Sequence, residues 1–480
     1  MAKLYQQLKD YAQSDYYPYH MPGHKRQLYG EMPKQAMELD ITEIDGFDNL
    51  HQSEGILLEL QQKAARLYGA EESFYLVNGS TSGILSAISA AVPLNGHILM
   101  ARNSHKSAYH AAYLRNLTVS YLYPETIEAY DICGAILPQQ IREALEQETD
   151  VDAVFIVSPT YEGKIAEIAE IAEIVHAKGI PLIVDEAHGA HLGLAEGFAQ
   201  NSCRLGADIV IHSVHKTLPA MTQTALLHVC GNRVRRDLLK RFLHIYQSSS
   251  PSYILMASID NALQLVEEQG QRLFRDFRRN YLEMVQQLRV CRNMQFPDAG
   301  DRGQDIGKLV ISVKRTGLSG QQIYDILLQK YHLQLEMAAG SYCLAMFTVG
   351  DSAEAYQRMT QALLEIDDAI SKGELQGSCF ESVIRKEMQK DEVCLINKEG
   401  TIPLSKSWDM AWETVPLEKA IGRSVAEFIN LYPPGTPLLV PGEVLDWEQY
   451  QKINAYLQQK LTVLGVENAE PYLVKVIQDR

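Results

Sequence analysis

PLIVDEAHGAH, residues 181–191, is an apolar run that stops abruptly at two carboxylates, two histidines and a glycine. Its apolar part, Pro181 to Val184, is short and follows Gly179, which reads as a buried strand rather than a helix. Such a strand delivers Asp185 and Glu186 to its carboxyl end. The same form recurs on either side, at Ser73–Val77, Ile98–Ala101, Ala153–Val157 and Ile209–His212, with helical patterns between them from about residue 50 to 250. Alternation of this kind predicts an α/β fold with a mostly parallel sheet covered by helices. The five strands end in NGSTSG, RNSHKS, SPTYEG, DEAHGAH and HSVHKT. Ligands of open α/β sheets bind beyond the carboxyl ends of strands, so these five ends are expected to converge on one site.

Further out, the segment from Lys164 to Lys178 places Ile168, Ile171 and Val175 on one helical face, which predicts the crossover helix between two parallel strands. A helical region near 252–290 precedes KLVISV, a helix over Gly320–Lys330, and the strand-like LQLEM and YCLAMFTV. This pattern predicts a small α+β domain. A polar helical connector, roughly Asp367 to Asp391, leads to a last domain containing PLEKAIGRSVAEF and LYPPGTPLLVPGEV. The expected division is an N-terminal segment with the large domain at 1–290, a small α+β domain at 291–372, and a linker helix with a C-terminal α+β domain at 373–480.

At 480 residues the chain is too long for one simple core, which agrees with that division. A formal net charge of −16, with no dense Lys/Arg stripe, repels polyanions, so nucleic acid is not an expected partner. Acidic surface could draw a cationic substrate toward a cleft, or serve solubility alone. The seven cysteines are scattered singly, without CxxC spacing, and read as reduced thiols. The polar, aromatic start MAKLYQQLKDYAQSDYYPYH lacks a signal-like apolar run, and no later run is long enough to span a bilayer. The expectation is a cytoplasmic protein with no membrane partner.

A buried Asp185 needs a cationic partner to offset its desolvation, and a protonated pyridine nitrogen is one candidate. A salt-bridged or capping role is the plainer alternative. Asp185, His188 and His191 also repeat at i, i+3, i+6, but a strand-to-loop path does not keep that spacing on one face, and no metal is expected. IVIHSVHKT, residues 209–217, brings a lysine to the next strand end, where Ser213, His215 and Thr217 offer donors suited to phosphate oxygens. Lys216 there could have the lowered pKa that a Schiff-base lysine requires. NGSTSG opens a helix, and Ser80, Thr81 and Ser82 are either phosphate ligands or ordinary caps. His105 in RNSHKS could stack on an aromatic ring or relay protons.

Together these elements resemble the Orn/Lys/Arg decarboxylase family of fold type I pyridoxal-phosphate enzymes, with an aspartate aminotransferase-like large domain, in the short form without an N-terminal wing domain. The resemblance runs through YHMPGHKR, LDITEIDGFDNLH, FYLVNGSTSG, RNSHKS, SPTYEG, VDEAHGAH, HSVHKT, SSSPSY, KLVISV with GLSG, and YPPGTPLLVPGE. It implies pyridoxal 5'-phosphate as cofactor, linked as an aldimine at Lys216, with Asp185 at the pyridine nitrogen and His105 stacked over the ring. It implies Ser80, Thr81, Ser82, Ser213 and His215 around the phosphate, His188 close to the ring, and Ser249 or Ser250 reaching the phosphate site of a partner subunit. A homodimer or a pair of dimers with shared active sites follows from that last point. His24, Lys25 and Glu443 could contact substrate or brace a loop and a domain interface. SKSWDMAWETVPL, with Trp408 and Trp412, departs from the family pattern, and so does EMAAGSY near the substrate end.

The activity this resemblance implies is decarboxylation of a basic L-amino acid through a quinonoid, with arginine ahead of lysine and ornithine because the short family form often has that activity. Polyamine biosynthesis is the implied setting. Another fold type I reaction, transamination or aldol cleavage, uses the same lysine and aspartate. A silent homologue that binds pyridoxal phosphate or a polyamine as a regulator is the third reading.

Overall fold

The computed structural model describes residues 3–16, 21–22, 24–26, 34–298, 303–375, 401–431, 436–459, 461–467 and 469–478. The polar connector beyond residue 375, the YPPG of the YPPGTPLLVPGE motif, and Tyr19, His20 and Gly23 of YHMPGHKR therefore lie outside the described residues. The chain packs as two compact units, residues 1–91 with 168–276, and residues 92–167 with 277–480.

Apart from the short pair Thr126–Ile127 and Ile132–Cys133, seven strands supply the sheet structure described between residues 72 and 229: β1 (Glu72–Leu76), β2 (His97–Ala101), β3 (Thr118–Leu122), β4 (Ala153–Val157), β5 (Leu182–Asp185), β6 (Ile209–Ser213) and β7 (Ala225–Val229). The five expected strands are all present. In the first unit the order is β1-β7-β6-β5. β5 and β6 run parallel with Asp185 opposite Ile211, whereas β7 is antiparallel to both β6 and β1. Sequence reading overlooked β3, where Thr118 and Ser120 interrupt the apolar run, and β7, whose apolar run is broken by His228. That histidine is completely buried, so its polarity hid a core strand.

Ile183, Val184, Val210 and Ile211 are completely buried, and each such side chain stabilises the fold by about 1.5–3 kcal/mol. The helix Gly79–Ala91 packs on β6 and β7. A Cβ at Gly83 would come within 2.6 Å of Leu76 Cδ1 and 3.2 Å of Ile211 Cγ2, so glycine permits this close approach.

In the second unit β4, β2 and β3 form an all-parallel run in the order β4-β2-β3. Its later part holds an antiparallel sheet of Lys308–Ser312, Tyr342–Met346 and Met337–Ala338, with the helix Gly320–Tyr331 capped reciprocally by Ser319 and Gln322. A separate core gathers Leu417, Val425, Ile429, Leu439, Ile453 and Val476 from the C-terminal segment.

Two boundaries differ from expectation. The crossover helix is Ile168–Ala177, because the amides of Lys164, Ile165 and Ala166 are held by Thr160 Oγ1, Gly303 O and Ser158 Oγ instead of helical carbonyls. LQLEM contributes only Met337 to a strand, since His332 closes the preceding helix in the left-handed region and the chain pairs late. The 1–290, 291–372 and 373–480 division remains a proposal. No helix among the described residues is long and apolar enough to cross a membrane.

Candidate active site

Asp185 is the last residue of β5 and only 4% exposed. Its Oδ1 accepts Ala187 N–H at 3.1 Å. Burial pushes this carboxyl above its ordinary range, and the attraction of Lys216 works in the opposite direction. Next to it β6 ends at Ser213, and the single helical turn Val214–Thr217 carries Lys216. Lys216 Nζ lies 3.0 Å from His188 Nε2. Two strand ends, β5 and β6, thus bring together the three groups that the resemblance assigned to the reacting end of a cofactor.

The neighbouring hydroxyls test whether a phosphate group fits. Ser213 Oγ and Thr217 Oγ1 are buried and have no hydrogen-bond partner among the described residues. Orphaned buried hydroxyls are costly unless a ligand or water satisfies them, and phosphate oxygens do so well. The residues present fit the group. His215 Nδ1 donates to Thr224 O at 2.8 Å, and burial lowers its pKa. In the neutral ring its Nε2 is therefore an acceptor, and His215 can donate to a phosphate only as imidazolium. At the start of the Gly79–Ala91 helix, Ser80 is half-buried and Thr81 exposed, while buried Ser82 donates its hydroxyl to Gly79 O. Helix-start amides and the Ser80 and Thr81 hydroxyls are the groups available to an anion there.

Gln247 fixes the SSSPSY segment by accepting Val77 N–H at 3.0 Å, and Ser248 N donates to Asn78 Oδ1 at 3.1 Å. Ser249 and Ser250 stand exposed beside this anchor. His24 faces Asp40 at 3.3 Å and accepts Arg26 N–H, while the Arg26 guanidinium donates to Tyr11 O and lies over the Tyr11 ring. These contacts brace the HKR loop against the N-terminal helix. Lys25 adopts φ +53° between them.

The second unit holds His105 and Glu443. His105 caps the helix Lys106–Leu114, its Nδ1 accepting from Ser107 N at 3.2 Å. Glu443 Oε2 accepts Arg102 at 2.8 Å and Val440 N–H at 2.9 Å. Arg102 is itself buried, donating further to Tyr109 OH and Pro437 O. Glu162 of SPTYEG is buried with Tyr342 OH at 2.7 Å, and burial raises its pKa.

Sequence reasoning did not single out Arg102, Glu162, Glu186, His212 or His228. His212 and His228 stand inside otherwise apolar strands, where register alone turns an imidazole into a partner, whereas Arg102, Glu162 and Glu186 lie just beyond strand ends, where only their burial sets them apart from solvated turn residues. Of the metal alternative, His188 faces Lys216, whereas the trio with ligand-like spacing among the described residues is His97, Glu148 and Asp150.

Two family models match the chain: "Orn/Lys/Arg decarboxylase, major domain" over residues 2–302 and "Orn/Lys/Arg decarboxylase, C-terminal domain" over residues 403–464. An arginine decarboxylase of Bacillus subtilis (strain 168) is 29% identical, with 99% of this chain and 98% of the relative covered. The uncharacterized protein YaaO of the same organism is 34% identical over 96% of this chain and 95% of its own length. Among solved structures, the Francisella novicida lysine decarboxylase LdcF matches with a TM-score of 0.83 at 18% identity, covering 100% of this chain and 81% of that one. That likeness shows a fold type I large domain with its C-terminal extension.

Proposed function

This chain belongs to the Orn/Lys/Arg decarboxylase family, which is pyridoxal-phosphate-dependent, and from that premise we propose that its substrate is arginine, released as agmatine and carbon dioxide. Lysine and ornithine are the competing substrates. The observation that carries the chemistry is the 3.0 Å approach of Lys216 Nζ to His188 Nε2 beside the buried Asp185. The choice of arginine rests on the full-length likeness to a Bacillus arginine decarboxylase.

When bound, pyridoxal phosphate supplies a conjugated ring that takes up the electron pair left as carbon dioxide departs. Lys216 provides the amine to which it would be linked. Asp185 provides a buried negative charge suited to a protonated ring nitrogen, the more effective for lying in a low-dielectric place. His188 holds or moves a proton at Lys216 Nζ. Ser213, Thr217, Ser80 and Thr81 are the donors proposed for the phosphate. The stacking role of His105, a substrate role for His24, Lys25 or Glu443, and a phosphate contact from Ser249 or Ser250 of a partner subunit are proposed from their motifs.

Offering arginine, lysine and ornithine separately, with carbon dioxide and amine measured, tests this reading. Agmatine from arginine at the highest kcat/KM is expected, with Lys216→Ala inactive on all three. Preference for lysine or ornithine overturns the substrate, and a keto acid or aldehyde without carbon dioxide overturns the proposed reaction.

A further inference from the structure

Behind Asp185 a hydrogen-bonded row crosses the sheet of the first unit. Glu186 Oε1 meets His212 Nε2 at 2.8 Å, His212 Nδ1 meets His228 Nε2 at 3.0 Å, and His228 Nδ1 meets Ser73 Oγ at 2.6 Å. The row follows from register. Ser73 lies opposite His228 across β1 and β7, and His228 is diagonal to His212 across β7 and β6. All four side chains are buried, and the Tyr68 ring packs 4.7 Å from both imidazole centroids. The other carboxyl oxygen, Oε2, accepts the hydroxyl of Ser202 and its backbone N–H at 3.0 Å, an N–H that also reaches Oε1 at the longer distance of 3.3 Å.

Because Oε2 already has two donors, a proton on Glu186 belongs on Oε1, directed at His212 Nε2. The row then has two self-consistent orders. With Glu186 ionised, each imidazole donates toward it and Ser73 donates to His228. With Glu186 protonated, the acid donates to His212, His212 to His228, and His228 to Ser73 Oγ. The two states differ by one proton, taken from solvent onto Glu186, and by the tautomer of both neutral imidazoles. Among the described residues no lysine or arginine donates to Glu186, so an anion here would be buried without a fixed cation in hydrogen-bond contact, at considerable cost.

We propose that Glu186 is a positioning residue, a buried neutral acid that donates into the His212–His228–Ser73 row so that its neighbour Asp185 is the one negative charge at the end of β5. The groups that bear on Glu186 are Asp185 before it in the chain, His212 on β6, His191 in the loop after β5, Ser202, Cys203, and Tyr68 from the helix Ile56–Tyr68, with His228 and Ser73 reached through His212. Burial pushes Glu186 up to about 8 against the milder opposing effects of Ser202 and His191, and pushes His212 down to about 3. Both shifts agree with a neutral row. An ionised Glu186 would instead raise Asp185 further by like-charge repulsion. The inference rests on the proposed pairing of Asp185 with the cofactor's ring nitrogen.

The test uses infrared spectra of the cofactor-loaded and cofactor-free protein, with turnover measured beside them. Wild type at neutral pH should show a protonated-carboxyl stretch that shifts in D2O, moves in Ser202→Ala, and is missing from Glu186→Gln. That neutral mimic should keep turnover within about threefold, since it removes no charge used in the reaction. Absence of the band at neutral pH, or a loss above about tenfold in cofactor-loaded Glu186→Gln, shows Glu186 working as an anion and overturns the proposal. If Glu186→Gln does not accumulate, the wild-type band and its Ser202→Ala shift decide the matter, and a band unmoved by Ser202→Ala counts against it. A normal band together with full turnover in Asp185→Asn would instead reject the ring-nitrogen reading of Asp185.

Discussion

Lys216 Nζ and His188 Nε2 stand 3.0 Å apart where β5 and β6 end side by side. A lysine amine at this distance donates to a neutral imidazole, so His188 can steady that amine or exchange a proton with it. His188→Ala should therefore lower kcat on the order of a hundredfold or more while leaving cofactor content intact. Steady-state kinetics on protein with measured cofactor content checks this, and unchanged kcat would reduce His188 to packing.

Among the described residues Asp185 has no cationic side chain in hydrogen-bond contact, only Ala187 N–H at Oδ1 and the longer-range charge of Lys216. Asp185→Ala should retain most of the bound cofactor, since the proposed phosphate donors are elsewhere. Its turnover should fall on the order of a hundredfold or more. Absorbance of bound cofactor and turnover, measured on one sample, separate the two effects.

Stability of the cofactor-free protein should fall with rising pH through the range that Glu186 titrates. Burial raises its pKa from 4.5 to about 8, so the folded state binds a proton more tightly than the unfolded state. The contribution is fully present below the unfolded value and is lost as pH rises through the folded one. Urea unfolding at a series of pH values should show a decline on the order of a few kcal/mol. Glu186→Gln should flatten that part of the profile.

The Arg102–Glu443 pair lies within the second unit, and both of its groups make further backbone contacts. Removing one partner of a buried pair costs about 3–5 kcal/mol. Arg102→Met and Glu443→Gln should accordingly lower the thermal midpoint more than they change KM. A raised KM for Glu443→Gln at unchanged stability would make Glu443 a substrate contact.

Ser249 and Ser250 are exposed on the single chain although the anchor beside them is buried. If a partner subunit uses them, an inactive Lys216→Ala dimer and a weakened Ser249→Glu/Ser250→Glu dimer should regain activity when dissociated and mixed. Each mixed dimer would contain one site with an intact lysine and intact serines. No recovery in verified mixed dimers would argue against shared sites.

PLIVDEAHGAH and IVIHSVHKT were legible as strands because short apolar runs between polar punctuation have few other foldings. The lysine, the aspartate and the hydroxyl-rich turns could be read in the same way, since strand ends are where such folds place ligands. β7 was not legible, because its buried His228 looks polar until a partner for it is known. Glu443 shows the same limit in reverse. Sequence allowed it to meet substrate or to brace, and only folding placed Arg102, 341 residues away, against it.

What the sequence determined by itself was the alternation of five of the seven strands with helices, the family likeness, and which residue types stand at those five strand ends. These depend on local periodicity and on neighbours within a few positions. The tertiary structure alone decided that Glu186, His212, His228 and Ser73 form one row, and that Ser213 and Thr217 bury hydroxyls without partners. Those facts arise from strand register and burial. A shift of one residue turns every side chain to the opposite face, and no local pattern fixes the pairing across four strands.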